Sequence, residues 1–273
     1  MTDHAYTSVP GLDVALDDSG ALRFRFDKPG KRNALDDDMV AALIAGLEAA
    51  SNDEAVRVVV ITGAGDHFCS GFDIVSRNAA TGDRKPRAGS TQRRLPSQAH
   101  RLIPLIATVQ VPVVCAVQGW AAGIGLHLAA AADFTVAATD ARLWEPFAAR
   151  GFTPDSGGTW LLPRLVGVVR ARELLLLGRA ISGTEAQDWG LVHRAVAADE
   201  LASATEELVT QLASGPTVTL GLTKWLLHAG ETTGLDDHLR DEAFALEISS
   251  RSEDFREGLK AFAEKRAPEF RGR

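Results

Sequence analysis

The stretch VVCAVQGWAAGIGLHLAAAADFTVA, residues 113–137, decides the fold. Val113 to Val117 is an unbroken apolar run rich in valine and reads as a buried strand. Gly119 to Gly125 follows as a glycine-rich turn. Glycine there lets the backbone take positive φ and approach a neighbour closely. Gly123 to Ala132 is alanine-rich and reads as a helix. Phe134 to Ala137 returns to a strand. Strand, tight turn, helix and strand in immediate succession predict an α/β core of stacked βα turns.

The same grammar extends in both directions. Val56 to Ile61 is a second buried strand, closed by Thr62-Gly63-Ala64-Gly65. Ala21 to Phe26 alternates apolar and charged residues, as a half-exposed strand does. Asp27 to Asn33, with Pro29 and Gly30, is a loop. Asp36 to Ala50 sets Met39, Val40, Leu43, Ile44 and Leu47 on one helical face. Residues 76–96 are rich in Arg, Lys, Gly and Pro, lack periodicity, and read as a surface loop. Ser97 to Val109 is a helix. Beyond about residue 156 the pattern is helical: Val168 to Leu177, Thr184 to Trp189, Asp199 to Leu212, Thr217 to His228, Leu235 to Ser250 and Glu253 to Glu264. The division expected is a core over residues 1–200 holding the site and a helical region over residues 201–273.

Composition narrows the function. The chain has 273 residues, of which 45% are hydrophobic and 24% charged, as in ordinary globular proteins. Its formal net charge of -7 disfavours non-specific binding to nucleic acid. The apolar runs stop well short of a membrane span. Cys69 and Cys115 make no framework of disulfides and fit a reduced, cytoplasmic setting. The histidines show no zinc-ligand spacing, so no metal is expected. Gly63-Ala64-Gly65 has Phe68 where a dinucleotide fingerprint needs its third glycine. Pro154-Asp155-Ser156-Gly157-Gly158 begins with proline where a nucleophile elbow has glycine.

Two glycine turns remain: His67-Phe68-Cys69-Ser70-Gly71-Phe72-Asp73-Ile74 and Gly119-Trp120-Ala121-Ala122-Gly123-Ile124-Gly125. Each follows a strand, and the second opens a helix, whose first amides are unpaired and carry partial positive charge. Side by side, two such turns can aim two N–H groups at one oxygen, which is an oxyanion hole. Taken singly, each turn is more often a structural corner.

With Asn33-Ala34-Leu35, Phe68 to Asp73, Gly119 to Gly125, Pro154 to Thr159, Trp189-Gly190-Leu191-Val192 and Lys265-Arg266-Ala267-Pro268-Glu269-Phe270 in this order, the chain resembles the crotonase (enoyl-CoA hydratase/isomerase) family from about residue 10 to its end. The resemblance implies an α/β fold, a spiral of ββα turns with a C-terminal helical trimerisation region, assembled as a homotrimer or a dimer of trimers. It implies an acyl-CoA thioester as substrate and no separate cofactor. The thioester oxygen would be held by the amides of Phe72 and Ile124. Lys31, Arg32, Ala34, Ser70, Asp73 and Ile74 would line the CoA path, Gly123 and Phe147 the acyl end. Phe262 and Lys265 would reach the CoA of a neighbouring subunit. Arg84, Lys85 and Arg87 could touch its phosphates.

The resemblance also exposes a departure. Enoyl-CoA hydratases hold water between two glutamates, and those positions here are His127 and Phe147. Glu145 is near in sequence, but two positions away from the second, which predicts a side chain aimed elsewhere. Asp155 is the remaining carboxylate and is expected to be buried near Phe147 and Trp144. Aspartate at this point resembles the subgroup that includes 2-(1,2-epoxy-1,2-dihydrophenyl)acetyl-CoA isomerase. One carboxylate that takes a proton from one carbon and returns it to another performs isomerisation. A structural alternative is that Asp155 caps the following helix. His127 reads equally as a second acid/base or as a hydrogen-bonded core residue. The functional alternatives are a hydratase with unusual water-positioning residues and a catalytically silent acyl-CoA-binding protein.

Overall fold

Uninterrupted β-branched runs make strands that must be covered on both faces, and parallel sheets meet that condition. The computed structural model describes residues 6–74 and 87–273. In it, a six-stranded sheet runs in the order β1 (Leu12–Leu16), β2 (Ala21–Phe26), β3 (Val58–Gly63), β4 (Val113–Val117), β6 (Phe134–Ala138) and β9 (Arg194–Val196). Only the β1–β2 hairpin is antiparallel; the other neighbours are parallel. A second sheet pairs β5 (Trp120–Ala122) with β7 (Arg142–Trp144) and β7 with β8 (Ile181–Ser182).

The two sheets explain each other. β4 lies in the large sheet and β5, directly after it, in the small one; β6 and β7 repeat the step. The chain therefore winds as successive ββα turns, the spiral expected from the motifs. β1, β5, β7, β8 and β9 have no separate signal in the sequence. β5, β7, β8 and β9 are at most three residues long, too short for periodicity to register.

Alternation along β3 sorts the core. Val59 and Ile61 face the main cluster with Phe24, Phe26, Met39, Leu43, Leu102 and Ile106. Val58 and Val60 face the other way, onto Val209, Leu212 and Ala213 of the Leu201–Ala213 helix. Arg23 of β2 clamps that helix through two bonds to Glu206, at 2.6 and 2.9 Å. Further on, Lys224 is buried and donates to the Ile106 and Val111 carbonyls and to Asp133 at 2.7 Å. Burial pushes the Asp133 carboxyl up and the Lys224 ammonium down, each against the pull of its partner.

Residues 76–96 were expected to lack structure. Those numbered 76–86 lie outside the described residues, along with Arg84 and Lys85. Ser90–Arg94 is helical and Leu95–Ser97 a 3-10 turn. Leu95 is buried with Ala99 and Leu102, so apolar contact draws this half of the segment onto the core. The Gly158–Leu175 helix starts earlier than its periodicity suggests and is broken at Gly167, where φ is 77°. Among the described residues, no helix is long and apolar enough to cross a membrane.

Candidate active site

The two glycine turns are stitched together by backbone. Cys69 N–H donates to the Trp120 carbonyl and Ala122 N–H to the Cys69 carbonyl, both at 2.9 Å. Phe68 N–H donates to the Gln118 carbonyl at 2.8 Å. On the other side, Leu35 N–H bonds the Gly71 carbonyl and Asp73 N–H the Leu35 carbonyl. This seam works only with glycine at Gly125, where a Cβ would overlap the Cys69 carbonyl. Gly71 has φ of 107°, and a Cβ there would lie 3.3 Å from the Ala122 carbonyl.

Ile124 opens the Ile124–Ala131 helix, so its N–H has no acceptor within the helix and lies at the positive end of its dipole. Gly123 supports it, donating its own N–H to the Trp144 carbonyl at 3.0 Å. Phe72 follows Gly71 on the facing turn. The arrangement brings both residues expected to supply oxyanion donors to one seam.

Beside that seam is a cavity of about 660 Å³. It is lined by Lys31, Arg32, Ala34, Ser70, Phe72, Asp73 and Ile74, so the residues expected on the CoA path are gathered in one place. Arg150 and Phe152 complete the wall. Arg150 was not legible in the sequence: it follows β7, and only the fold returns it to the Lys31 loop. Lys31 Nζ pairs with Asp73 at 2.6 Å. The loop is braced by Asn33, which is fully buried with φ of 57°. Its side chain accepts from Lys28 N–H and donates to the Ala64 and His67 carbonyls, leaving no polar atom unmatched. Asparagine tolerates the left-handed region and supplies these bonds, which explains its place here.

The second feature is a buried polar chain. His127 Nε2 lies 2.7 Å from Glu145 Oε1, and His127 Nδ1 lies 2.8 Å from Ser156 Oγ. Ser156 Oγ in turn lies 3.2 Å from Asp155 Oδ1. His127, Glu145 and Ser156 are buried, whereas Asp155 is half-buried. Phe147 stacks on the imidazole, rings 7° from parallel. Gly158 packs so closely on Nε2 that a Cβ would overlap it.

Three expectations change. Glu145 does not point elsewhere: the turn after β7 folds it inward onto His127. Asp155 is half-buried rather than fully buried, and its backbone carbonyl accepts from His100 at 2.6 Å. Nor does Asp155 cap the following helix. The cap position belongs to Gly157, with no side-chain bond. Between the alternatives for His127, the hydrogen-bonded reading describes its surroundings, with the addition of a carboxylate partner.

Ser156 and Gly157 also line an apolar cavity of about 400 Å³ with Ile103, Pro104, Trp160 and Leu161. Phe262 and Lys265 are exposed on the last helix and contribute to neither cavity. His67 is a loop residue whose Nδ1 accepts from Trp120 N–H. Cys69 is no nucleophile, since burial pushes its thiol up to about 12. Among the described residues, no cluster of His, Cys, Asp or Glu could hold a metal ion.

Residues 17–273 match the model of the enoyl-CoA hydratase/isomerase family. The chain is 37% identical to the 1,2-epoxyphenylacetyl-CoA isomerase of Escherichia coli K12, over 94% of this chain and 97% of that protein. It is 32% identical to the crotonyl-CoA hydratase of Syntrophomonas wolfei, over 89% and 92% of the two chains. The crystal structure of an enoyl-CoA hydratase from Bacillus anthracis superposes with a TM-score of 0.88, at 30% identity, over 96% of this chain and all of that one. The chain belongs to the enoyl-CoA hydratase/isomerase family, and its fold is the crotonase spiral.

Proposed function

We propose that this member of the enoyl-CoA hydratase/isomerase family moves a double bond within an enoyl-CoA ester. Asp155 carries the proton, and the amides of Phe72 and Ile124 take up charge on the thioester oxygen. Lys31, Arg32, Ala34, Ser70, Asp73 and Ile74 hold the CoA moiety. Gly123 and Phe147 border the acyl end. An enolate is formed when a base removes the proton beside the carbonyl. Each aimed amide stabilises that developing charge by about 3 kcal/mol.

The observation that carries the reading is the contrast between two carboxylates. Asp155 is half-buried, and its chain neighbours Ser156 and Gly157 line a cavity. Glu145 has no exposure and is tied to His127. A base must reach substrate, and a sealed carboxylate does not. Hydration needs a second group to hold water, and the two positions that the family uses are an engaged histidine and an apolar phenylalanine. The Escherichia coli relative is an isomerase by name, which agrees with this choice.

Assembly belongs to the same proposal. Leu239, Phe244, Leu259 and Phe262 lie exposed on the C-terminal helices, which supports association as a trimer or dimer of trimers. Phe262 and Lys265 would then reach the CoA moiety of a neighbouring copy.

The test compares wild type with Asp155→Asn on crotonyl-CoA and on a 3-enoyl-CoA in deuterated water, read by mass spectrometry. Double-bond migration and α-exchange that disappear in the variant support the reading. Hydration of crotonyl-CoA that survives the substitution overturns it. Tight binding without turnover or exchange in wild type favours a silent binder and overturns it as well.

A further inference from the structure

Resting on the reading of Asp155 as the acid/base, we propose that Ser156, His127 and Glu145 form a buried proton relay that serves it. His127 and Glu145 line neither cavity and act through Ser156, which bridges them to Asp155, the group proposed to meet substrate.

The geometry fixes what each atom can do. Glu145 Oε1 lies at 2.7 Å from His127 Nε2, so Nε2 carries a proton and donates it to the carboxylate. His127 Nδ1 faces the Ser156 hydroxyl at 2.8 Å, and that hydroxyl faces Asp155 Oδ1 at 3.2 Å. A hydroxyl has one hydrogen to give. Before abstraction Asp155 is ionised and His127 is neutral, its one ring proton on Nε2. When Asp155 has taken a proton from substrate, it donates to Ser156 Oγ, Ser156 donates to Nδ1, and His127 is still neutral. After the relay Asp155 is ionised again, Ser156 donates to it and accepts from Nδ1–H, and His127 is a cation paired with the Glu145 anion. The last two states hold the same number of protons. They interconvert when the Asp155 proton moves to Ser156 Oγ as the Ser156 proton moves to His127 Nδ1. The O–H bonds of Asp155 and Ser156 break, a new O–H bond at Ser156 and an N–H bond at Nδ1 form, and no co-reactant is needed.

The surroundings suit this role. His127 and Glu145 are fully buried, so a proton stored on them is shielded from bulk water. Glu145 Oε2 has no hydrogen-bond partner among the described residues, so the charge of Glu145 depends on its imidazole neighbour. Phe147 on one side of the ring and Gly158 on its edge hold the imidazole in a single orientation. For an isomerase, the benefit is that the substrate proton can be held on His127 and handed back through Ser156 to Asp155 for return, so that it stays in the protein.

The experiment uses Ser156→Ala, which deletes the bridge and leaves the His127–Glu145 pair and Asp155 in place, together with Glu145→Gln and Asp155→Asn. Turnover of a 3-enoyl-CoA is measured in mixtures of light and heavy water. The relay predicts kcat lower by about tenfold in Ser156→Ala and in Glu145→Gln, with KM within about twofold. It predicts a curved dependence of kcat on deuterium fraction in wild type, reporting several protons in motion, that becomes linear in both variants. Unchanged kcat and curvature in Ser156→Ala, with Asp155→Asn inactive, overturn the relay and leave the role of Asp155 intact. Full activity in Asp155→Asn overturns that role and the relay with it.

Discussion

His127 and Glu145, eighteen residues apart, meet in the interior with Nε2 and Oε1 separated by 2.7 Å and neither side chain exposed. A buried hydrogen-bonded pair of this kind stabilises little on balance, but removing one partner strands the other. His127→Ala is expected to lower the unfolding free energy by about 3–5 kcal/mol. The double variant His127→Ala with Glu145→Ala should recover part of that loss. Urea denaturation of the three proteins reads the difference, and equal losses in single and double variants would contradict the coupling.

The seam between the glycine turns makes a second prediction. Gly125→Ala drives a methyl group into the Cys69 carbonyl and must part the turns that carry Phe72 and Ile124. Loss of one oxyanion donor costs about 10²–10³ in kcat. A folded Gly125→Ala protein, checked by circular dichroism, is expected to show a kcat reduced by at least about a hundredfold. Near-normal turnover would show that the seam does not set the hole.

Asn33 braces the loop that carries Lys31 and Arg32 against the turn after β3. Asn33→Ala leaves buried carbonyls of Ala64 and His67 without these donors, and unmatched buried polar groups cost about 1–3 kcal/mol each. Thermal unfolding should move down, and KM for an acyl-CoA should rise because the loop is no longer held. A change in stability alone, with KM untouched, would separate Asn33 from binding.

Arg150 joins the Lys31 side of the larger cavity from a distant part of the chain. If that cavity holds the CoA phosphates, Arg150→Ala should raise KM by about tenfold, the loss of roughly 1.4 kcal/mol, with kcat little changed. The effect should shrink as salt is added. An unchanged KM would remove Arg150 from the binding surface.

Asp17 gives a pH-dependent signature of the fold alone. Burial works to raise its carboxyl, but bonds from Ser19, Arg23 and Ala21 outweigh this and lower it from 3.8 to about 2. A depressed carboxyl contributes stability that is complete above its unfolded value and is lost as pH falls through the folded one. The Asp17→Asn variant should therefore lose stability near neutral pH and show a shallower decline than wild type between about pH 4 and pH 2. Parallel acid denaturation curves would contradict this.

How much of this was legible in the sequence depends on range. The strands β3, β4 and β6 and the helix Glu253–Glu264 were readable because their signals are local: unbroken valine runs and a 3.6-residue period. Both glycine turns were readable because tight turns need glycine at fixed places, whereas the loop from Lys31 to Ala34 entered through the family resemblance. Glu145 was misjudged because sequence spacing does not say which way a turn rotates a side chain. The bend after β7 sends it inward, and only the finished fold puts it against His127. Arg150 was missed for the same reason. Asp155 was expected deeper than it lies because apolar neighbours in sequence do not say how a turn sets the depth of a side chain.

The most direct test of the central claim follows the proton itself. A 3-enoyl-CoA deuterated at its α-carbon is isomerised in light water, and the product is examined for deuterium at the γ-carbon. One carboxylate acting at both carbons predicts a measurable fraction of label carried from α to γ by wild type and none by Asp155→Asn. Complete loss of label to solvent with activity surviving in Asp155→Asn, or a hydrated product in place of the isomer, would contradict it.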